Sequence, residues 1–134
     1  MVINILKYNL NGEKDFAQFY KYGLLGEDFA SNYLESIGYE ILERNFLCKQ
    51  GEIDIIAKDN DEYVFVEVKT RSNRCYGRPS EAVNDFKKKH ILKSTKYYLY
   101  LHKLEDKFIR FDVIEVYLYN HKYKINHLKQ VDMI

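Results

Sequence analysis

Residues 51–69 read Gly51-Glu52-Ile53-Asp54-Ile55-Ile56-Ala57-Lys58-Asp59-Asn60-Asp61-Glu62-Tyr63-Val64-Phe65-Val66-Glu67-Val68-Lys69, two apolar runs joined by a polar turn. Short runs rich in Ile and Val around Asn-Asp predict a β-hairpin. Side chains alternate between the faces of a strand, so Glu52 projects with Asp54, and Glu67 with Lys69. Ile53, Ile55, Ala57, Val64, Val66 and Val68 then make up an apolar face opposite them.

With a two-residue turn at Asn60-Asp61, positions whose numbers sum to 121 face one another. Asp54 is then set against Glu67, and Glu52 against Lys69. Two carboxylates across a ladder repel unless a cation lies between them or one is protonated. Asp54 and Glu67 are therefore expected to bind a hard metal ion. Toward the turn the same face becomes apolar, with Ile56 set against Phe65 and Tyr63 close by. Polarity confined to one end suits a cleft at the end of a covered sheet. The alternative is a half-exposed hairpin held by a Glu52–Lys69 ion pair.

Mg²⁺ and Mn²⁺ prefer oxygen ligands in octahedral geometry, and Mg²⁺ binds through one or two carboxylates plus water and phosphate. The Val68 carbonyl lies between Glu67 and Lys69 as a candidate third protein oxygen. Lys69 would hold an attacking water or stabilise charge developing on a phosphate.

Gly51-Glu52-Ile53-Asp54 and Val64-Phe65-Val66-Glu67-Val68-Lys69-Thr70-Arg71 resemble the YraN family of small bacterial proteins, of the restriction-endonuclease-like PD-(D/E)xK superfamily. Upstream, the resemblance continues through Gly26-Glu27-Asp28-Phe29-Ala30, Tyr33-Leu34, Gly38-Tyr39 and Arg44-Asn45. Downstream it includes Tyr76-Gly77-Arg78-Pro79, Glu81-Ala82-Val83, Lys87, Tyr98-Leu99 and Arg110-Phe111-Asp112-Val113. It covers roughly residues 22–128 in order. The resemblance implies an α/β fold with an α-β-β-β-α-β core, a mixed central sheet flanked by helices, as in archaeal Holliday-junction resolvases. It also implies that Asp54, Glu67 and Lys69 occupy catalytic positions. Asp54 follows Ile53 where the superfamily's nominal signature has proline.

Glu27 matches the glutamate that related resolvases carry on their first helix, and periodicity supports an inward position independently. In a helix predicted from about Asp15 to Ile37, Glu27, Ala30, Leu34 and Ile37 fall on one stripe. A carboxylate in line with a buried face needs a partner. The alternative is a boundary glutamate that reaches solvent or a lysine.

At 134 residues and 46% hydrophobic content the chain suffices for one core, and no repeat or linker divides it. One domain over residues 1–134 is expected, with 1–21 an N-terminal extension outside the resemblance. The net charge of +1 does not advertise a polyanion partner, but the distribution is uneven. From Arg71 to Lys96 eight basic residues stand against only Glu81 and Asp85, a local excess of six. This segment is predicted to be a loop to Pro79 and then a helix from about Ser80 to His102, with Ser80 as N-cap. Arg71, Arg74 and Arg78 on the loop, with Lys87 and Arg44, are candidate phosphate contacts. Lys88, Lys89, Lys93 and Lys96 read as an ordinary solvated face.

Strands are predicted over Ile41–Leu47 and Lys107–Leu118, with Tyr123–Leu128 as a final edge strand. Tyr98 and Leu99 fall near a core stripe with Ile91, Leu92 and Thr95, whereas Tyr76, in the basic loop, is a candidate for base stacking. Cys48 and Cys75 lack metal or redox spacing, and four scattered histidines form no motif and read mostly as surface or boundary residues. The cysteines fit a reduced cytosolic protein, and no apolar run is long enough for a bilayer.

The combined expectation is a cytoplasmic nuclease dependent on Mg²⁺ or Mn²⁺ that cleaves nucleic acid, with structured or branched DNA of recombination and repair as the implied substrate. Asp54, Glu67, the Val68 carbonyl and Glu27 would hold the metal, and Glu52 would steer Lys69 or assist with metal. A homodimer or an activating protein is an expected partner, since four-way junctions have two symmetric cuts. The alternative is a non-catalytic nucleic-acid-binding or scaffold protein that retains the fold.

Overall fold

The computed structural model describes residues 2–4, 17–72, 84–119 and 122–133. Apolar alternation turns into strands where it was expected. In chain order the elements are β1 (Val2–Asn4), α1 (Ala17–Ser36), β2 (Glu40–Cys48), β3 (Gly51–Asp59), β4 (Glu62–Ser72), α2 (Asp85–Leu101), β5 (Ile109–Tyr119) and β6 (Lys122–Leu128). The run from α1 to β5 is the expected α-β-β-β-α-β core.

The sheet has the order β1-β6-β5-β4-β3-β2. Among the described residues only β4 and β5 are parallel. A parallel pair needs a crossover, and α2 lies in it. The segment expected to be a final edge strand is not an edge, because Val2–Asn4 pair with β6 through Val2↔Lys124 and Asn4↔Lys122.

Asn60, at φ 52, turns β3 into β4, and the register runs from Asp59↔Glu62 to Ile55↔Val66, as the two-residue turn requires. Ile55, Ala57, Val64 and Val66 bury one face against Phe29, Ala30 and Leu34 of α1, together with Ile114, Val116, Tyr123 and Ile125. Full burial stabilises by about 1.5–3 kcal/mol per large apolar side chain. Ile56 and Phe65 bury the other face against Tyr98 and Leu99 of α2. Two covered faces explain why the central strands are nearly continuous apolar runs.

Helix α1 stops where Gly38 takes φ 96, a left-handed conformation that glycine adopts without a Cβ clash. Tyr39 N bonds Leu34 O at 2.9 Å and Gly38 N bonds Glu35 O at 3.1 Å, a Schellman stop. Ile37 therefore leaves the helix and is exposed, so the predicted stripe ends at Leu34. Helix α2 begins at Asp85, later than predicted: Asn84 caps it by accepting from Lys87 N at 2.9 Å. Ser80, Glu81 and the loop residues Arg74, Cys75, Tyr76 and Arg78 lie outside the described residues. No helix among the described residues is long and apolar enough to cross a membrane.

Candidate active site

The β3–β4 ladder ends at Ile55↔Val66, one step before Asp54 would meet Glu67. Asp54 and Glu67 are thus not ladder partners, nor are Glu52 and Lys69. Instead Asp54 Oδ2 accepts from Val68 N at 2.8 Å, so a side chain takes the place of the next backbone bond. Beyond this point carboxylates collect. Ligand atoms of Glu27, Glu52 and Asp54 lie within 4.8 Å of one another.

A second irregularity faces the first. On β2, Arg44↔Ile55 and Phe46↔Ile53 pair, but Asn45 and Asp54 between them do not. Asn45 has φ 53. Both strands change face here: Ile55 packs toward α1, while Phe46 and Ile53 pack toward α2. Ile53 therefore departs from the single apolar face expected for the hairpin. The Asn45 side chain lies near enough to Glu27 to favour its ionised form slightly. Sequence reasoning assigned Asn45 no role, although an asparagine inside a strand run marks a candidate left-handed residue.

Glu27 is partly buried, and its Oε2 has no hydrogen-bond partner among the described residues. Burial first, then the charge of Asp54, pushes its carboxyl up to about 7, against the pull of Arg44. Asp54 is likewise pushed up to about 7, by burial and then by the neighbouring Glu67; the Val68 amide and Lys87 pull it down. Two carboxyls that release their protons only near neutrality, one with an orphan buried oxygen, form a donor set short of positive charge. All the donors are hard oxygens, which fits Mg²⁺ or Mn²⁺.

Glu67 is 7% exposed and forms an ion pair with Lys87 of α2. Hydrogen bonding and charge from Glu67 raise the Lys87 pKa although burial works against it. Lys69 is partly buried beside Glu115, its register partner on β5. Burial and then Arg71 lower the Lys69 pKa, while Glu67 and Glu115 oppose them. Arg71 lies 3.8 Å from Glu115. Arg44 pairs with Asp28 at 2.7 Å, which directs this expected phosphate contact toward α1.

Sequence reasoning also missed two buried polar groups on β5. Glu115, 1% exposed, accepts from Asn126 Nδ2 at 2.8 Å and Tyr117 OH at 3.1 Å. Asp112, also 1% exposed, bonds Arg110 Nε at 2.9 Å and His127 Nε2 at 2.7 Å, and His127 Nδ1 reaches Tyr33 OH at 3.0 Å. His127, at the boundary of the core, thus tethers the sheet to α1.

Residues 26–116 match the model of uncharacterised protein family UPF0102. Among curated proteins, a UPF0102 protein of Alkaliphilus oremlandii is 50% identical over 111 residues, covering 81% of this chain and 95% of its own. One from Clostridium kluyveri is 54% identical over 94 residues, covering 70% and 77%. A third, from Clostridium perfringens strain 13, is 46% identical over 109 residues, covering 80% and 89%.

Proposed function

The chain belongs to uncharacterised protein family UPF0102, and from its site we propose that it hydrolyses phosphodiester bonds in nucleic acid with a divalent metal ion. The observation that carries this reading is the 2.8 Å bond from Val68 N to Asp54 at the end of the β3–β4 ladder. It gathers Asp54, Glu27 and Glu52 beside Glu67 and Lys69, at one end of central strands covered on both faces.

Asp54, Glu67, Glu27 and the Val68 carbonyl would hold Mg²⁺ or Mn²⁺, which supplies Lewis acidity toward a phosphate and lowers the pKa of water. Lys69 keeps a partly desolvated ammonium beside these carboxylates, where it orients the attacking water and meets charge developing on phosphorus oxygens. Glu52 steers Lys69 or shares in holding the ion. Arg71 is steadied by buried Glu115 and contacts the backbone of the substrate, as do Arg74 and Arg78. Structured or branched DNA is the proposed substrate.

The test is cleavage of end-labelled four-way junction, flap, single-stranded and duplex DNA, and of RNA, in Mg²⁺, Mn²⁺ or EDTA, alongside Asp54→Asn. Metal-dependent cutting lost in the variant is the expected result. Activity that survives Asp54→Asn removes the site assignment. Binding without cutting in every metal replaces catalysis with a binding or scaffold role, the reading that the small net charge of +1 favours through dependence on a partner.

A further inference from the structure

Beside Lys87, whose ammonium meets Glu67, stands Phe86, a large apolar side chain that is 74% exposed. Isolated exposed apolar residues are ordinary, and exposure alone says nothing. The surroundings of Phe86 are less ordinary. Its ring lies 4.5 Å from that of His90, one helical turn along, at an angle of 60°. His90 is itself fixed: Nδ1 is 2.6 Å from the Gln50 carbonyl, and its Cβ would lie 3.3 Å from a Cβ placed on Gly51. The Phe86 ring is therefore supported on one side by a second ring tied to the turn that leads into Glu52 and Asp54. Lys87, Lys88 and Lys89 follow directly in sequence, so an aromatic surface and positive charge share the first turns of α2.

We propose that Phe86 stacks on an unpaired nucleobase of the substrate at the rim of the carboxylate cluster, and so selects single-stranded or frayed nucleic acid. The inference rests on the nucleic-acid reading of the site and adds a substrate class to it. Stacking needs an open base face, which an intact duplex hides between neighbouring pairs. Lys89, three positions along the same helix, supplies positive charge beside the ring for a passing phosphate backbone.

The chain contains no tryptophan, so Phe86→Trp creates a single tryptophan reporter that can be excited selectively over the thirteen tyrosines. The titration uses this substitution together with Asp54→Asn, which prevents cleavage, and a short single-stranded oligodeoxynucleotide or a blunt duplex of the same length. The proposal expects strong quenching by the single strand and little by the duplex. In parallel, Phe86→Ala should weaken single-strand binding by about 5- to 150-fold, with Phe86→Tyr restoring it. A parent protein that binds the single strand, with Phe86→Trp unquenched and Phe86→Ala unaffected, overturns the stacking role and leaves the nuclease reading standing. Quenching without cleavage by the wild-type protein in any metal supports stacking while it removes catalysis. A parent that binds neither DNA overturns both.

Discussion

Lys87 on α2 and Glu67 on β4 close an ion pair between helix and sheet in which the carboxylate is buried and the ammonium half exposed. The lysine offsets a negative charge that burial alone would disfavour. Lys87→Met keeps the aliphatic stem and removes the charge. It should cost about 1–2 kcal/mol, the low end for an unpartnered buried group, because Lys87 is half exposed. If a divalent ion binds the same carboxylates, saturating Mn²⁺ should shrink the deficit. Urea unfolding with and without Mn²⁺ measures this, and an equal deficit in both would separate Lys87 from the metal site.

Asp54 and Glu27, both raised to about 7 from ordinary values of 3.8 and 4.5, give the metal-free protein a distinctive pH dependence. Between those limits the folded state binds more protons than the unfolded chain. Their contribution to stability is therefore complete below about 4 and is lost as pH rises through about 7. Metal binding needs the deprotonated forms, so its dependence has the opposite sign. Apparent Mn²⁺ affinity should rise as pH increases from about 6 to about 8 and then level off. Asp54→Asn should flatten both trends, as read by urea midpoints and by calorimetric titration. A metal affinity independent of pH in the wild-type protein would exclude these two carboxyls as ligands.

The hairpin and its register were legible because period-two alternation and an Asn-Asp turn fix which residues face one another. The register nevertheless held only to Ile55↔Val66. Asp54, read as a cross-strand partner of Glu67, instead takes the Val68 amide, and a local pairing rule does not foresee a side chain that replaces a backbone acceptor. Asn45 could be read as a left-handed candidate but its role could not, because that φ matters only opposite Asp54, on another strand. The Tyr33–His127–Asp112 chain joins residues as far apart as 94 positions, so no local spacing announces it.

Gly26 precedes Glu27 where α1 crosses β4. A Cβ at this position would collide with the Thr70 hydroxyl and lie 3.3 Å from Thr70 Cβ. In an open helix Gly→Ala would gain about 1 kcal/mol. Here overpacking of about 1–3 kcal/mol opposes that gain, and the β-branched Thr70 cannot swing away freely. Gly26→Ala should therefore be destabilising overall and should displace Glu27 from Asp54, weakening Mn²⁺ binding. Adding Thr70→Ala should recover both losses, and a double-mutant cycle on urea midpoints gives the coupling. Additive effects would show that α1 does not meet β4 through this pair.

Asp112 holds the second polar centre together. Its oxygens accept from Arg110 Nε and Nη2 at 2.9 and 3.0 Å and from Gln130 N at 3.1 Å, and they meet His127 Nε2 at 2.7 Å. Burial would raise its pKa, yet His127, Arg110 and the Gln130 amide bind the ionised form and together bring it below the ordinary 3.8. Its contribution is therefore present above about pH 4 and lost as the carboxylate is protonated in acid. Asp112→Ala leaves the buried Arg110 guanidinium with Asp59, 25% exposed, and Glu62 as its remaining acidic partners, and should cost about 3–5 kcal/mol. Asp59→Ala, at the exposed end of the same arginine, should cost under about 1 kcal/mol. Urea midpoints from about pH 2 to 6 should show the acid loss in the wild type and its absence in Asp112→Asn. Equal costs for the two alanine variants would mean that Arg110 is held from the β3–β4 turn as firmly as from β5.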